Sequence, residues 1–153
     1  MKRLRRFLGL PAAERRLLIK AALLLWAIKL GLMLLPFRTM RNLLGRLTGL
    51  SIDLWDADRY PVERVVWAVE LAGRLMPRAS TCLTEGLTAQ VLLLRRGHPA
   101  LLHIGAVKGE GGELQAHAWV ESRGEVVIGG GELERFTPLV ALEGEKALEG
   151  ERQ

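Results

Sequence analysis

Apolar positions along the 153-residue chain change their period near residue 100. Before it they recur every three or four residues, and after it they alternate or run in short blocks. The opening "MKRLRRFLGL" is basic and predicts a short helix or a frayed end. Pro11 fits the first turn of a helix, where its missing N–H leaves no bond unmade. From there "AAERRLLIKAALLLWAIKLGLMLL" continues as one helix until Pro36 stops it. The apolar span from Leu17 to Leu35 approaches transmembrane length, but Lys20 and Lys29 interrupt it on opposite faces at ~100° per residue. A single span would hold Lys29 well inside the bilayer, at roughly 2.5 to 3.5 kcal/mol. The expectation is therefore a helix packed in the protein, with a membrane-surface or partner-docking helix as the alternative. "FRTMRNLLGRL" predicts a further short amphipathic helix with its basic residues outward.

"SIDLWDADRYP" is a polar connector carrying Asp53, Asp56 and Asp58. It lacks the turn glycine and terminal glutamate of a calcium loop, so it reads as a solvated, helix-capping segment. "PVERVVWAVELAGRLMP" predicts a helix between two prolines, with Val62, Val65, Val66, Val69 and Leu75 as its inner stripe and Trp67 at the stripe's edge. The next helix begins behind Ser80 or Thr81, either of which is a good N-cap. Leu83, Leu87, Val91 and Leu94 form its buried face, and Gly97 and Pro99 end it. Three strands follow, "ALLHIGAV", "QAHAWVE" and "EVVIGGG", joined by the glycine-rich "KGEGGEL" and the tight "SRG". Residues 132 to 140 add a short strand or edge segment. An antiparallel meander after helices makes the fold class α+β. Three regions result: basic, leucine-rich helices over 1–50, a core over 51–142, and a polar tail over 143–153.

Charge divides the chain. Residues 1 to 47 carry eleven Lys and Arg against Glu14 alone, and the remaining residues carry eleven against sixteen Asp and Glu. A basic block on apolar helices attracts a membrane surface or an acidic partner. Nucleic acid is not an expected partner, because no interleaved aromatics or nucleic-acid motif accompany the charge. The single cysteine and the absence of a cleavable signal pattern point to the cytoplasm, with attachment to the inner face of the membrane as a variant. No His-x-x-x-His or Cys-x-x-Cys pair is present, so no zinc site and no cofactor are expected.

Cys82, the single cysteine, falls in the first turn of its helix, where orphan N–H groups and the macrodipole favour a thiolate. A nucleophilic thiol needs a base. His117 lies on a strand and shares a face with Trp119 and Glu121. Catalysis by this pair stands against the plainer reading of a buried thiol and a satisfied histidine. The N–H of Cys82 is a candidate oxyanion donor. Glu85 is favourable near a helix N-terminus in its own right, His98 is expected to be exposed at a turn, and His103 is expected to be structural or to line the site.

"CLTEGLTAQVLLLRRGHPALLHIGAVKGEGGELQAHAWVESRGEVVIGG" resembles the transglutaminase-like peptidase of lasso-peptide biosynthesis. The likeness lies in the Cys-Leu helix start, the Leu-Leu-Arg-Arg-Gly helix end, the His-Ile-Gly strand and the Ala-His-Ala-Trp-Val-Glu strand. The helices running into "LLPFR" and "LLGRL" also look like that family. The resemblance implies a papain-like α+β core and a hydrolase, a cysteine protease acting as leader peptidase on a ribosomally made precursor. It implies Cys82 as nucleophile and His117 as general base. It also implies two partners, a separate leader-recognition protein and an asparagine-synthetase-like lasso cyclase. Alternatives are a weak or inactive precursor-binding scaffold, or an amide-forming acyl transferase with the same pair.

The family often places an Asp about twelve residues after the histidine, and that position here is Gly129. A two-residue turn at Arg123 and Gly124 makes paired positions sum to 247, which sets His117 opposite Gly130. None of Gly129, Gly130 and Gly131 has a side chain to orient the imidazole. Glu132 is the candidate third member, Glu121 is too distant along the strand for direct contact with His117, and a backbone carbonyl or water is the remaining option.

Overall fold

A computed structural model of the chain describes residues 1–49, 60–79, 81–131, 133 and 136–142. The connector aspartates Asp53, Asp56 and Asp58, the cap candidate Ser80, Glu132 and the tail from 143 lie outside the described residues. Among the described residues five helices precede four strands: α1 (Lys2–Leu8), α2 (Ala12–Leu34), α3 (Phe37–Gly49), α4 (Val62–Leu75), α5 (Cys82–Arg95), β1 (Leu101–Lys108), β2 (Leu114–Ser122), β3 (Glu125–Ile128) and β4 (Thr137–Leu142). The fold is α+β, as the change of period predicts.

The four strands form one antiparallel sheet in the order β3-β2-β1-β4. The segment expected as a short edge strand is therefore an edge, but it pairs with β1 rather than extending the meander past β3. β2 and β3 are joined as "SRG" predicts, with Arg123 at φ 53° and Gly124 at φ 82°. Both central residues of a type I′ turn need positive φ, and that turn matches the twist of the strands it joins.

α5 lies between the other helices and the sheet. Thr84 and the residues from Gly86 to Leu93 are buried, and the helix contacts α2, α3 and α4 on one side and the sheet on the other. Gly86 is the point of closest approach to the sheet, where an added Cβ would stand 2.8 Å from Leu102 Cδ1 and 3.7 Å from Val120 Cγ2. Leu102, Ala118 and Val120 thus face the helices, in one continuous core with Leu17, Ala21 and Ile28 of α2 and Val65 and Val69 of α4. In α4 the buried stripe runs through Ala68 and Ala72, and Leu75, expected inside, is exposed. Polar ties fix the helical layer: the Tyr60 hydroxyl donates to the Ala13 carbonyl at 2.6 Å, and Arg64 pairs with Glu14 at 2.8 Å. Pro11 stands one residue earlier than expected, as the N-cap of α2.

α2 is apolar around most of its circumference, but only one side is covered. Leu17, Leu18, Ala21, Leu25 and Ile28 are buried, whereas Leu23 on the far side is 59% exposed. The two sides predict different mutational costs. Leu25→Ala leaves a cavity and is expected to lower unfolding free energy by about 2 to 4 kcal/mol. Leu23→Ala is expected to change it by less than about 0.5 kcal/mol. Urea denaturation of the two variants checks this, and equal losses would refute the packing of α2.

Candidate active site

The start of α5 is set by a reciprocal pair of hydrogen bonds. The Thr84 N–H donates to Thr81 Oγ1 at 3.2 Å, and the Thr81 N–H donates to Thr84 Oγ1 at 2.8 Å. This is a capping box with threonine in the place usually held by Glu or Gln. Thr81 is the N-cap, as expected for one of the two candidates, and Cys82 is the first helical residue. Thr84 is almost fully buried, and its oxygen also lies 2.9 Å from the Ala79 carbonyl, to which it can donate. Of the four N–H groups that a helix start leaves unpaired, the box satisfies two. Those of Cys82 and Leu83 remain as donors for an anion at the Cys82 thiol. The thiol itself is exposed, and Glu85 sits in the first turn, where the helix dipole favours a carboxylate.

His117 is half-buried, and its Nε2 lies 2.7 Å from the carbonyl oxygen of Gly129. A carbonyl can only accept, so Nε2 carries the proton and the lone pair of the neutral ring is on Nδ1. The position where the family often carries an Asp thus orients the histidine through its main chain. The expected facing of His117 and Gly130 is not found. A bulge between Val120 and Glu121 shifts the pairing by one residue, β3 ends at Ile128, and Gly129 turns to φ 74°. An added Cβ at Gly129 would lie 2.7 Å from the Ala118 carbonyl oxygen. An Asp at 129 is excluded from this backbone by both its dihedral and its space.

On the sheet face turned away from α5, Trp119 stacks between two histidines, with ring centroids 5.3 Å from His103 and 6.1 Å from His117. Phe136 covers the other side of His117 at 5.1 Å. Gly105 makes room for this file, because a Cβ there would stand 2.9 Å from the Trp119 ring. Glu121 reaches His103, with Oε2 to Nε2 at 3.1 Å in a geometry too oblique for a hydrogen bond. It is engaged there and not at His117. His103 therefore packs against the wall beside the candidate base. His98, expected to be exposed, is half-buried, with its ring 2.8 Å from the Tyr60 carbonyl at the other end of α5.

Cys82 and His117 belong to the same end of the helix–sheet pair. Gln90 bonds the Ala100 carbonyl at 3.3 Å and Gly86 meets Leu102, so the helix start points along β1 towards Ile104 and its partner Ala118. His117 leaves β2 on the face opposite α5, and the described residues do not bring its ring into contact with the thiol. Among the described residues the thiol makes no hydrogen bond, to His117 or to another group. Catalytic hydrogen bonds are often long before substrate binds. Thr84, Gly105 and Phe136 are not among the residues the sequence points to, and the carbonyl that holds His117 is one of the options it leaves open. The second threonine of "TCLT" was the available signal for Thr84. No group of three His, Cys, Asp or Glu side chains suited to a metal ion occurs among the described residues.

Comparison with known proteins agrees with this architecture. A profile described as the transglutaminase-like superfamily matches residues 24–141, most of the chain, and the protein belongs to that superfamily. Its fold is that of papain-like cysteine peptidases and acyltransferases. No curated protein and no solved structure matches the chain significantly.

The carbonyl-held histidine makes two predictions. Nitrogen-15 spectra of the neutral protein are expected to show His117 protonated at Nε2, and an Nδ1–H tautomer would contradict the geometry. Gly129→Asp supplies the missing carboxylate at a position that cannot take it, and is expected to cost about 1 to 3 kcal/mol of stability by thermal denaturation. A gain in stability would overturn this account of the glycine.

Proposed function

We propose that the protein is a cysteine peptidase that removes the leader from a ribosomally synthesised lasso-peptide precursor. The observation that carries the reading is an exposed cysteine at a capped helix start in a transglutaminase-like chain whose strand histidine is held in the base-competent tautomer. The resemblance of "AHAWVE" and the stretch around Cys82 to the lasso leader peptidases supports the narrower substrate assignment. His117 Nδ1 takes the thiol proton, and the thiolate attacks the carbonyl carbon of the leader–core bond. The N–H groups of Cys82 and Leu83 receive the resulting oxyanion. His117 returns the proton to the leaving amine, which departs as the free N-terminus of the core. Water, deprotonated by His117, then releases the leader as a carboxylic acid and restores the thiol.

A carboxylate beside a catalytic histidine does two things: it fixes the tautomer and it stabilises the imidazolium by charge. The Gly129 carbonyl does the first and contributes only a dipole to the second. That difference favours, as a second reading, a slow or inactive relative that binds the precursor for its partners. The partners proposed for either role are a separate leader-recognition protein and an asparagine-synthetase-like cyclase.

Cys82→Ala is expected to abolish precursor cleavage, and His117→Ala to reduce it by about 10³-fold or more. Mass spectrometry of the precursor incubated with its recognition protein checks both. A free leader carboxylate marks hydrolysis and a new amide marks acyl transfer. Maturation that survives Cys82→Ala would establish the scaffold instead.

A further inference from the structure

We infer that α2 lies in the surface of an anionic lipid bilayer and attaches the protein to it, with its inner side still packed in the core. Ile19, Leu23, Trp26, Leu30 and Met33 follow one another at spacings of four and three residues, so they form one stripe along the helix. All five are exposed, Met33 by 71%. The stripe lies on the side opposite the buried Leu17, Ala21, Leu25 and Ile28. At ~100° per residue, Arg15 and Lys29 border it on one flank and Arg16 and Lys20 on the other. Phe37 at the start of α3 and Leu4 and Leu8 of α1 add exposed apolar surface, the latter two among Lys2, Arg3, Arg5 and Arg6. A long apolar face edged by cations is the pattern of a helix lying in the plane of a lipid interface.

The charge of this segment selects the occupant. Eleven Lys and Arg against one acid over residues 1–47 complement an anionic headgroup layer, while the excess acid of the remaining residues is repelled from it. A second copy docking through α2 would bring two such cationic borders together. α2 is long and apolar enough to cross a membrane. A crossing would, however, pull Leu17, Ala21 and Ile28 out of the core they share with α4 and α5. The inference is independent of the chemistry at Cys82.

Co-sedimentation of the full chain with vesicles tests it. Binding is expected to vesicles of equimolar phosphatidylcholine and phosphatidylglycerol at low salt, to weaken in high salt, and to be far weaker with phosphatidylcholine alone. Leu23→Glu with Leu30→Glu should lower vesicle affinity at least tenfold while circular dichroism and the melting transition are retained. Arg3→Gln with Arg5→Gln, which leaves the α2 stripe untouched, should lower it by roughly fivefold per charge. Brominated lipid should quench the wild type more than Trp26→Phe. Equal binding to neutral vesicles would overturn the electrostatic part. No vesicle binding, or a dimer in solution that the Leu23→Glu, Leu30→Glu variant dissolves, would overturn the proposal in favour of a protein partner.

Discussion

The reciprocal hydrogen bonds between Thr81 and Thr84 decide where α5 begins, and with it where Cys82 stands. α5 is the central helix of the fold, in contact with helices on one side and with β1, β2 and β3 on the other. Its axis cannot shift without opening the core, because Gly86 already brings helix and sheet as close as a missing side chain allows. With the axis fixed by packing and the start fixed by the cap, the thiol of Cys82 is left at a helix end, exposed and beside two unpaired N–H groups. A buried threonine oxygen that accepts one N–H and faces two carbonyls is a costly group to disturb, since each polar partner left unmatched in the interior costs about 1 to 3 kcal/mol. The cap is therefore a stability element and a site element at once.

His117 depends on a different constraint, the bulge at Val120 and Glu121. The bulge ends the β2–β3 ladder early and lets Gly129 turn into the left-handed region, which aims its carbonyl at Nε2. One irregularity thus supplies the group that holds the imidazole. It also explains why the third position is a glycine: the main chain occupies the space that an aspartate side chain needs. Trp119, held between His103 and His117 and admitted by Gly105, limits the ring's freedom from the other side.

Much of this was legible in the residues. The change of period gave the α+β order, "SRG" gave the tight turn, and Ser80 or Thr81 before Cys82 gave the helix start. His117 and Trp119 share a face because a strand alternates. The register beyond the turn was not legible, because turn type fixes pairing only until a bulge intervenes, and a bulge has no distinctive side-chain signature here. The Gly129 carbonyl escaped for a related reason: main-chain acceptors are identical at every position, so sequence shows only that a side chain is missing. Glu121 was correctly separated from His117 by distance along the strand, but its contact with His103 required the pairing of β1 with β2. Leu75 failed as a core residue because Ala68 and Ala72, small enough to admit the neighbouring helix, carry the contact in α4 instead.

α2 was the least legible element, because an all-round apolar helix announces burial without saying in what. In this chain the answer differs by side. The inner side is claimed by Leu17, Leu25 and Ile28 in the protein core, and no described residue covers the outer side. Exposing a continuous stripe of large apolar groups to water is unfavourable by tens of calories per Å² of surface, and soluble surfaces rarely carry such patches without a use. The cations bordering the stripe narrow that use, since lysine and arginine can bury their stems against apolar surface while their charged ends reach outward. A headgroup layer meets both demands along one line, apolar below and anionic above. A folded partner would have to present a groove with acidic rims to do the same.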